Sequence, residues 1–155
     1  REGTRGPRPA RVARAMTLVL DASVVLRWFV DQAGAEHAHR WLARFTEDPD
    51  LFVLPDLGRF EVHGGLARLQ PKRDPKWAVA TFERFDRLGI RTLPTTLDLF
   101  RRALDLAREL RLGGYDAVYL AHAEDLGAAW LTADARALRR LSGDARVRPI
   151  ESAES

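Results

Sequence analysis

Apolar residues recur along this chain in two rhythms. Short apolar runs stand at Thr17 to Leu20, Leu51 to Leu54 and Ala129 to Thr132, and four-residue segments with apolar ends at Ile90 to Leu93 and Val147 to Ile150. Runs of that length between turn residues predict buried strands, the last of them an edge strand. Between them the spacing changes to three and four residues, the period of a helix with one buried face. Asp21-Ala22-Ser23 opens a first helix carrying Val24, Val25 and Trp28. Ala35 to Phe45 is a second, with Ala38, Trp41, Leu42 and Phe45 on one side. A third is expected from Asp56, as its cap, to near Pro71, with Leu57, Phe60 and Leu66 inward. Asp74-Pro75 starts a fourth that runs to Leu88 and is ended by Gly89. Thr96 begins the longest pattern, through Leu97, Phe100, Leu104 and Ala107 to Gly113-Gly114. Asp116 starts a helix stopped by Gly127, and Ala135 to Leu141 forms a short last one.

Strands alternating with helices imply parallel crossovers, hence an α/β three-layer sandwich around a parallel sheet of four to five strands. The 155 residues are enough for one domain with a substantial core. Its expected extent is 16–150, followed by a short tail, 151–155. Residues 1–15 are rich in Gly, Pro and Arg and lack apolar periodicity, so they are expected to be disordered. The chain opens on Arg, and Met16 directly precedes the first strand. The leading segment is therefore read as an upstream extension with no catalytic role.

Charge changes this picture only after it is divided. The whole chain carries +3, but the first fifteen residues hold five Arg and one Glu, leaving residues 16–155 at about −1. A basic balance would point to nucleic acid, and for the body of the chain that argument fails. Cysteine is absent, which excludes a disulfide framework, a thiolate metal site and a cysteine nucleophile. No apolar run reaches the roughly 18 residues that a membrane-spanning helix needs. Without a secretory segment, the expected compartment is the cytoplasm.

Four acids mark the joints between elements: Asp21 after the first strand, Glu61 early in the third helix, Asp116 after a Gly-Gly turn and Asp134 after the fourth strand. In an open α/β sheet, the ends of such strands are where ligands bind. Each Asp alone is equally well read as a helix cap, and Glu61 alone as a solvated side chain. Together they suit a hard divalent cation, Mg²⁺ or Mn²⁺, which prefers oxygen ligands. Ser23 and Thr132 stand two residues from Asp21 and Asp134, placed to orient a carboxylate or a water.

The runs LVLDASVVLRWF, LPDLGRFEVHGGL and GGYDAVYLAHAEDLGAAWLTADARAL, in that order, resemble a PIN domain, with closest likeness to the VapC toxins of toxin–antitoxin pairs. The resemblance spans about Met16 to Ile150. It implies a metal-dependent endoribonuclease in which Asp21, Glu61, Asp116 and Asp134 are the catalytic and metal-binding acids, supported by Ser23 and Thr132. It also implies an RNA substrate, a VapB-type antitoxin with a C-terminal segment lying across the Trp28 to Phe45 region, and a homodimer. Where some members carry a further acid or Asn, this chain has Ala135, Arg136 and Ala137. Gly64-Gly65, inside the helix of Glu61, costs up to about 1 kcal/mol each relative to Ala, and a kink there would redirect Glu61.

Arg27, Arg59, Arg68, Arg136 and Arg139 are candidates to meet a phosphate backbone by their nearness to the acids in sequence. His37 and His39 point to different sides of a helix, so a zinc site is not expected. Trp28, Trp41, Trp77 and Trp130 are expected as core or interface anchors. Two other readings compete: a housekeeping RNA-processing PIN nuclease, and a phospho-receiver module. The receiver needs a Lys near the end of its fifth strand, and the only lysines here are Lys72 and Lys76.

Overall fold

A computed structural model describes residues 15–153, so the Arg-rich leader and the last two residues of the tail lie outside it. Five parallel strands, β1 (Leu18–Leu20), β2 (Phe52–Pro55), β3 (Thr92–Leu93), β4 (Ala129–Thr132) and β5 (Val147–Pro149), form one sheet in the order β3-β2-β1-β4-β5. Seven helices accompany them among the described residues: α1 (Ala22–Phe29), α2 (Ala35–Glu47), α3 (Asp56–Leu69), α4 (Trp77–Arg87), α5 (Leu97–Leu110), α6 (Gly114–Leu126) and α7 (Ala135–Arg140). No helix is long and apolar enough to cross a membrane among the described residues.

The strands sort their side chains by the two-residue period of a pleated sheet. Leu18, Leu20, Phe52, Leu54, Ala129 and Leu131 face one way, into a core shared with α1 to α4. Val19, Val53 and Trp130 face the other, into a core shared with α5, α6 and α7. Both faces are covered, which is why the strands read as unbroken apolar runs and not as alternation. The result is the three-layer sandwich expected from the sequence.

The chain winds outward from β1 in two directions: toward β2 and β3, then back across to β4 and β5. That reversal puts a crevice beside the carboxyl ends of β1 and β4, where an open α/β sheet binds ligands. A phospho-receiver has the order 2-1-3-4-5, so this topology removes that rival reading.

Several boundaries differ from the expectation. Asp56 is the first residue of α3 and not its cap; its carboxylate is drawn to Thr95 instead, at 2.6 Å from Oγ1 and 3.0 Å from the amide. Helix α4 starts at Trp77, leaving Pro75 in the preceding turn. Helix α5 ends at Leu110 on Arg111, whose left-handed backbone (φ 54°) does the work expected of the glycines. Gly127 (φ 57°) does end α6, where a Cβ would be strained. Phe60, expected inside, is 76% exposed, and the Leu97, Phe100 and Leu104 stripe of α5 faces solvent. The face that α5 buries carries Ala103 and Leu106.

Helix α3 runs unbroken through Gly64 and Gly65, so no kink redirects Glu61. Gly65 is the point where α3 meets α1: a Cβ there would lie 2.5 Å from Leu26 Cδ1. Gly64 has open space beyond it. Gly64→Ala is therefore expected to stabilise the domain by about 0.5–1 kcal/mol. Gly65→Val is expected to destabilise it by about 2 kcal/mol as Leu26 is displaced. Urea unfolding of the two variants checks the contrast; equal effects would refute this account of the α1–α3 contact.

Candidate functional site

All four acids singled out in the sequence line one cavity of about 450 Å³ at the switch point, together with Ser23, Arg68, Tyr115 and Tyr119. Their routes to it differ. Asp21 follows β1 directly; its amide bonds to Leu131 O at 3.0 Å, extending the β1–β4 pairing by one step. Asp134 lies just beyond β4 and caps α7, accepting from the amides of Arg136 (2.8 Å) and Ala137 (3.1 Å) through Oδ1 alone. Glu61 sits in the second turn of α3. Asp116 does not begin α6, as expected, but stands in its first turn, two residues after Gly114.

Asp21 is the best-held carboxylate. Oδ1 accepts the amide of Ser23 at 2.9 Å, so it caps α1. Oδ2 accepts Thr132 Oγ1 at 2.8 Å and the indole N–H of Trp130 at 3.1 Å. Thr132, fully buried, gives its proton to Asp21 and receives the amide of Asp134 at 3.0 Å. It thereby joins the two acids. Ser23 Oγ accepts the amide of Ala133 at 3.1 Å and lies 3.5 Å from Thr132 Oγ1. The Ser23 hydroxyl also acts on the Asp21 carboxylate, which it helps to keep ionised. Cap and site are thus the same residues, since one carboxylate oxygen serves the helix and the group still faces the cavity.

The electrostatics are those of crowded like charges. Burial pushes the Asp21 carboxyl up, against its hydrogen bonds, with Asp134 adding repulsion. Burial raises Glu61 as well, opposed by the Tyr119 hydroxyl and reinforced by Asp21, Asp116 and Asp134. Asp116 is pushed up to about 6 by burial and then by Asp134 and Asp21, while Arg136 pulls weakly the other way. None of the four acids has an ion-pair partner among the described residues. Glu61 Oε1 is buried with no hydrogen-bond partner. Among the described residues, no three acidic or histidine side chains stand as a ready-made chelating cluster. The acids line the walls of a shared space instead. An all-oxygen donor set with an orphaned buried carboxylate oxygen suits a hard divalent cation.

The flanking cations resolve into two groups. Arg68 lines the cavity and Arg136 acts on Asp116. Arg27 is committed to the carbonyls of Ala33 and Ser23, at 2.8 Å each, and Arg59 to Asp86 at 2.9 Å, so neither serves the site as expected. Arg139 is exposed on α7. His122, buried on α6, bonds Thr95 Oγ1 at 3.0 Å behind β3 and stays out of the cavity. Trp28, Trp41 and Phe45 are buried, so these rings are core, while Leu26, Phe29 and Leu42 of the same region are half-buried.

Two site residues escaped the sequence reading. Trp130 was taken only as an anchor, yet its N–H holds Asp21. Tyr119 was given no role. The available signal was spacing: Tyr119 is one helical turn beyond Asp116, and a buried indole needs an acceptor.

An α/β/α domain with a carboxylate-lined cavity at its topological switch point is the class defined by these features. The chain belongs to the PIN domain family, whose model matches residues 18–144. No curated protein matches it. Its fold is similar to that of solved structures at low identity. One is a toxin–antitoxin complex from Klebsiella pneumoniae (16% identity, TM-score 0.67, 88% of this chain and 100% of that one). Another is VapC20 of Mycobacterium tuberculosis, a sarcin-ricin loop cleaving toxin (21%, 0.64, 86% and 100%). A third is PAE2754 of Pyrobaculum aerophilum (21%, 0.66, 90% and 93%).

The raised pKa of Asp116 has a consequence for stability. Its ordinary value is 3.8 and its folded value about 6, so the folded state holds the proton more tightly. The stability this supplies is present below about pH 4 and is lost as pH rises through 6. Asp116→Asn cannot ionise. In EDTA its stability relative to wild type is expected to improve by about 1 kcal/mol between pH 4.5 and 7.5, after allowance for partial solvation. Urea midpoints at the two pH values measure this; an unchanged difference would rule out the crowded-acid account.

Proposed function

We propose that this chain is a divalent-metal-dependent endoribonuclease, the toxin of a VapBC-type toxin–antitoxin pair acting in the cytoplasm. One observation carries the reading: four carboxylates from distant parts of the sequence line one cavity, with no cationic side chain ion-paired to any of them among the described residues. Family membership supports the nuclease class. The similarity to the Klebsiella complex and to VapC20 supports the toxin reading over a housekeeping nuclease.

Asp116, which receives no hydrogen bond from the described residues, and Asp21, locked by three, are the residues assigned as principal ligands of Mg²⁺ or Mn²⁺. Glu61 and Asp134 complete the site or hold its waters, with Ser23 and Thr132 as supports. The bound ion supplies Lewis acidity toward the scissile phosphate and an acidified water. The chain's own task is to hold the acids around one cavity, Asp21 through its hydrogen bonds and Asp134 through its helix cap. Arg68 and Arg136 offset the repulsion between an acidic cavity and an RNA backbone.

We also infer a homodimer. Phe60, Phe100 and Tyr115 line a common groove, and Leu97 and Leu104 extend it along α5 at spacings of three and four. These five side chains are 50% to 76% exposed. They leave on the order of 600 Å² in water, close to the roughly 800 Å² that each partner of a stable dimer buries. Asp98, Arg101, Asp105 and Arg108 alternate in sign along α5. A two-fold axis near Ala103 therefore sets Asp98 toward Arg108, and Arg101 toward Asp105, of the second copy. Light scattering is expected to find a dimer, and Leu104→Glu a monomer; a monomeric wild type would refute the interface.

Purified protein is expected to cleave RNA in Mg²⁺ or Mn²⁺, to lose activity in EDTA, and to lose roughly a hundredfold or more in Asp116→Ala. In a bacterial host, growth arrest should require Asp116 and be relieved by the neighbouring small open reading frame. RNase activity that persists in EDTA would overturn the assignment.

A further inference from the structure

We propose that the stacked pair Tyr119–Trp130 is a positioning device that grips Asp21 and Glu61 from behind and sets the affinity of the acidic cavity for a divalent cation. The inference rests on the metal-site reading above and deepens it.

Donor and acceptor accounting gives each polar atom of the pair one task. The indole N–H of Trp130 only donates, and it does so to Asp21 Oδ2 at 3.1 Å. The amide of Ala22, one of the free N–H groups at the start of α1, donates to the Tyr119 hydroxyl at 3.3 Å. An amide accepts nothing, so the hydroxyl proton of Tyr119 is directed elsewhere. It is directed at the Glu61 carboxylate, whose Oε1 has no partner of its own among the described residues. Contacts of this kind in an unliganded site tighten when the reacting complex forms. Burial, with the charges of Asp21 and Glu61, pushes the phenol's ionisation far up, so that proton stays in place.

The rings lie parallel, 2° apart, with centroids at 5.6 Å, and both are essentially inaccessible. Neither turns without the other. Through them α6, which carries Asp116 one turn before Tyr119, is tied to β4, to the α1 start and to α3. Simple packing would be served as well by two phenyl rings. Here the only two polar atoms of the pair meet site carboxylates or the backbone beside them. Outer groups that orient a ligand typically change metal affinity 10–100-fold when lost.

Trp130→Phe removes the N–H and keeps an aromatic ring; Tyr119→Phe removes only the hydroxyl. Calorimetric titration of the full chain with MnCl₂ is expected to give a Kd raised about tenfold in each. Paramagnetic Mn²⁺ is expected to quench tryptophan fluorescence in wild type and in Trp77→Phe, and to lose most of that quenching in Trp130→Phe. Variants that melt cooperatively and bind Mn²⁺ within twofold of wild type would overturn the proposal. So would a fall in melting temperature in EDTA with Kd unchanged, the mark of a purely structural pair. A wild type that binds no Mn²⁺ would bring down both this inference and the metal-site reading. Wild-type binding with indifferent variants would remove this inference alone.

Discussion

Like charges sharing a half-buried space set the terms for everything at the open end of this sheet. Two unit charges about 4 Å apart repel by about 4 kcal/mol at the effective dielectric near a protein surface. A domain whose whole margin of stability is on the order of 5–15 kcal/mol cannot carry several such pairs undamped. The fold damps them in three ways. It gives Asp21 three donors, it turns half of Asp134 into a helix cap, and it raises the pKa of Asp21, Glu61 and Asp116 so that protons are retained. What it does not do, among the described residues, is ion-pair an arginine with any of them, although Arg68 lines the cavity and 23 of the 25 basic residues are Arg. Two nearby arginines, Arg27 and Arg59, are instead committed to backbone carbonyls and to Asp86.

The parts of this arrangement that sequence revealed are those fixed by local chemistry. Strands buried on both faces leave continuous apolar runs, so β1, β2 and β4 were visible, and with them the positions of Asp21 and Asp134 at their ends. Convergence of Glu61 and Asp116 followed only from topology and from likeness to a family. The structure brings both into the cavity, by way of α3 and α6. The misreadings share one cause, which is that periodicity does not say which of two apolar stripes faces inward. Helix α5 carries Leu97, Phe100 and Leu104 on one side and Ala103 and Leu106 on another, and the smaller set is buried. Phe60 was misassigned for the same reason. Trp130 went unseen as a site residue because an apolar run conceals a hydrogen-bonding indole, and its acceptor is 109 residues away.

Placement of the caps explains why the single-residue and joint readings of the acids do not compete. A helix start at the end of a parallel strand needs an acceptor, and it offers a positive dipole end toward the crevice. An Asp there satisfies the backbone with one oxygen while its charge still faces the ligand. Asp21 and Asp134 both do this on adjacent strands, β1 and β4, at the one place in the sheet where the winding reverses. Asp116 and Glu61 have no such secondary use. Among the described residues, Asp116 accepts no hydrogen bond and one Glu61 oxygen is buried without a partner.

That asymmetry bears on whether the fold has been kept as a scaffold without chemistry. Capping alone explains two of the four acids and would be satisfied by Ser or Asn at either place. It does not explain a buried glutamate oxygen with no partner among the described residues, which costs on the order of 1–3 kcal/mol of desolvation. A scaffold gains nothing from that. Replacement by Gln would relieve the repulsion, and replacement by Leu would relieve the burial as well. Strain of this kind persists where a ligand returns the energy. The proposed divalent cation has the charge and the preference for oxygen that such a ligand needs.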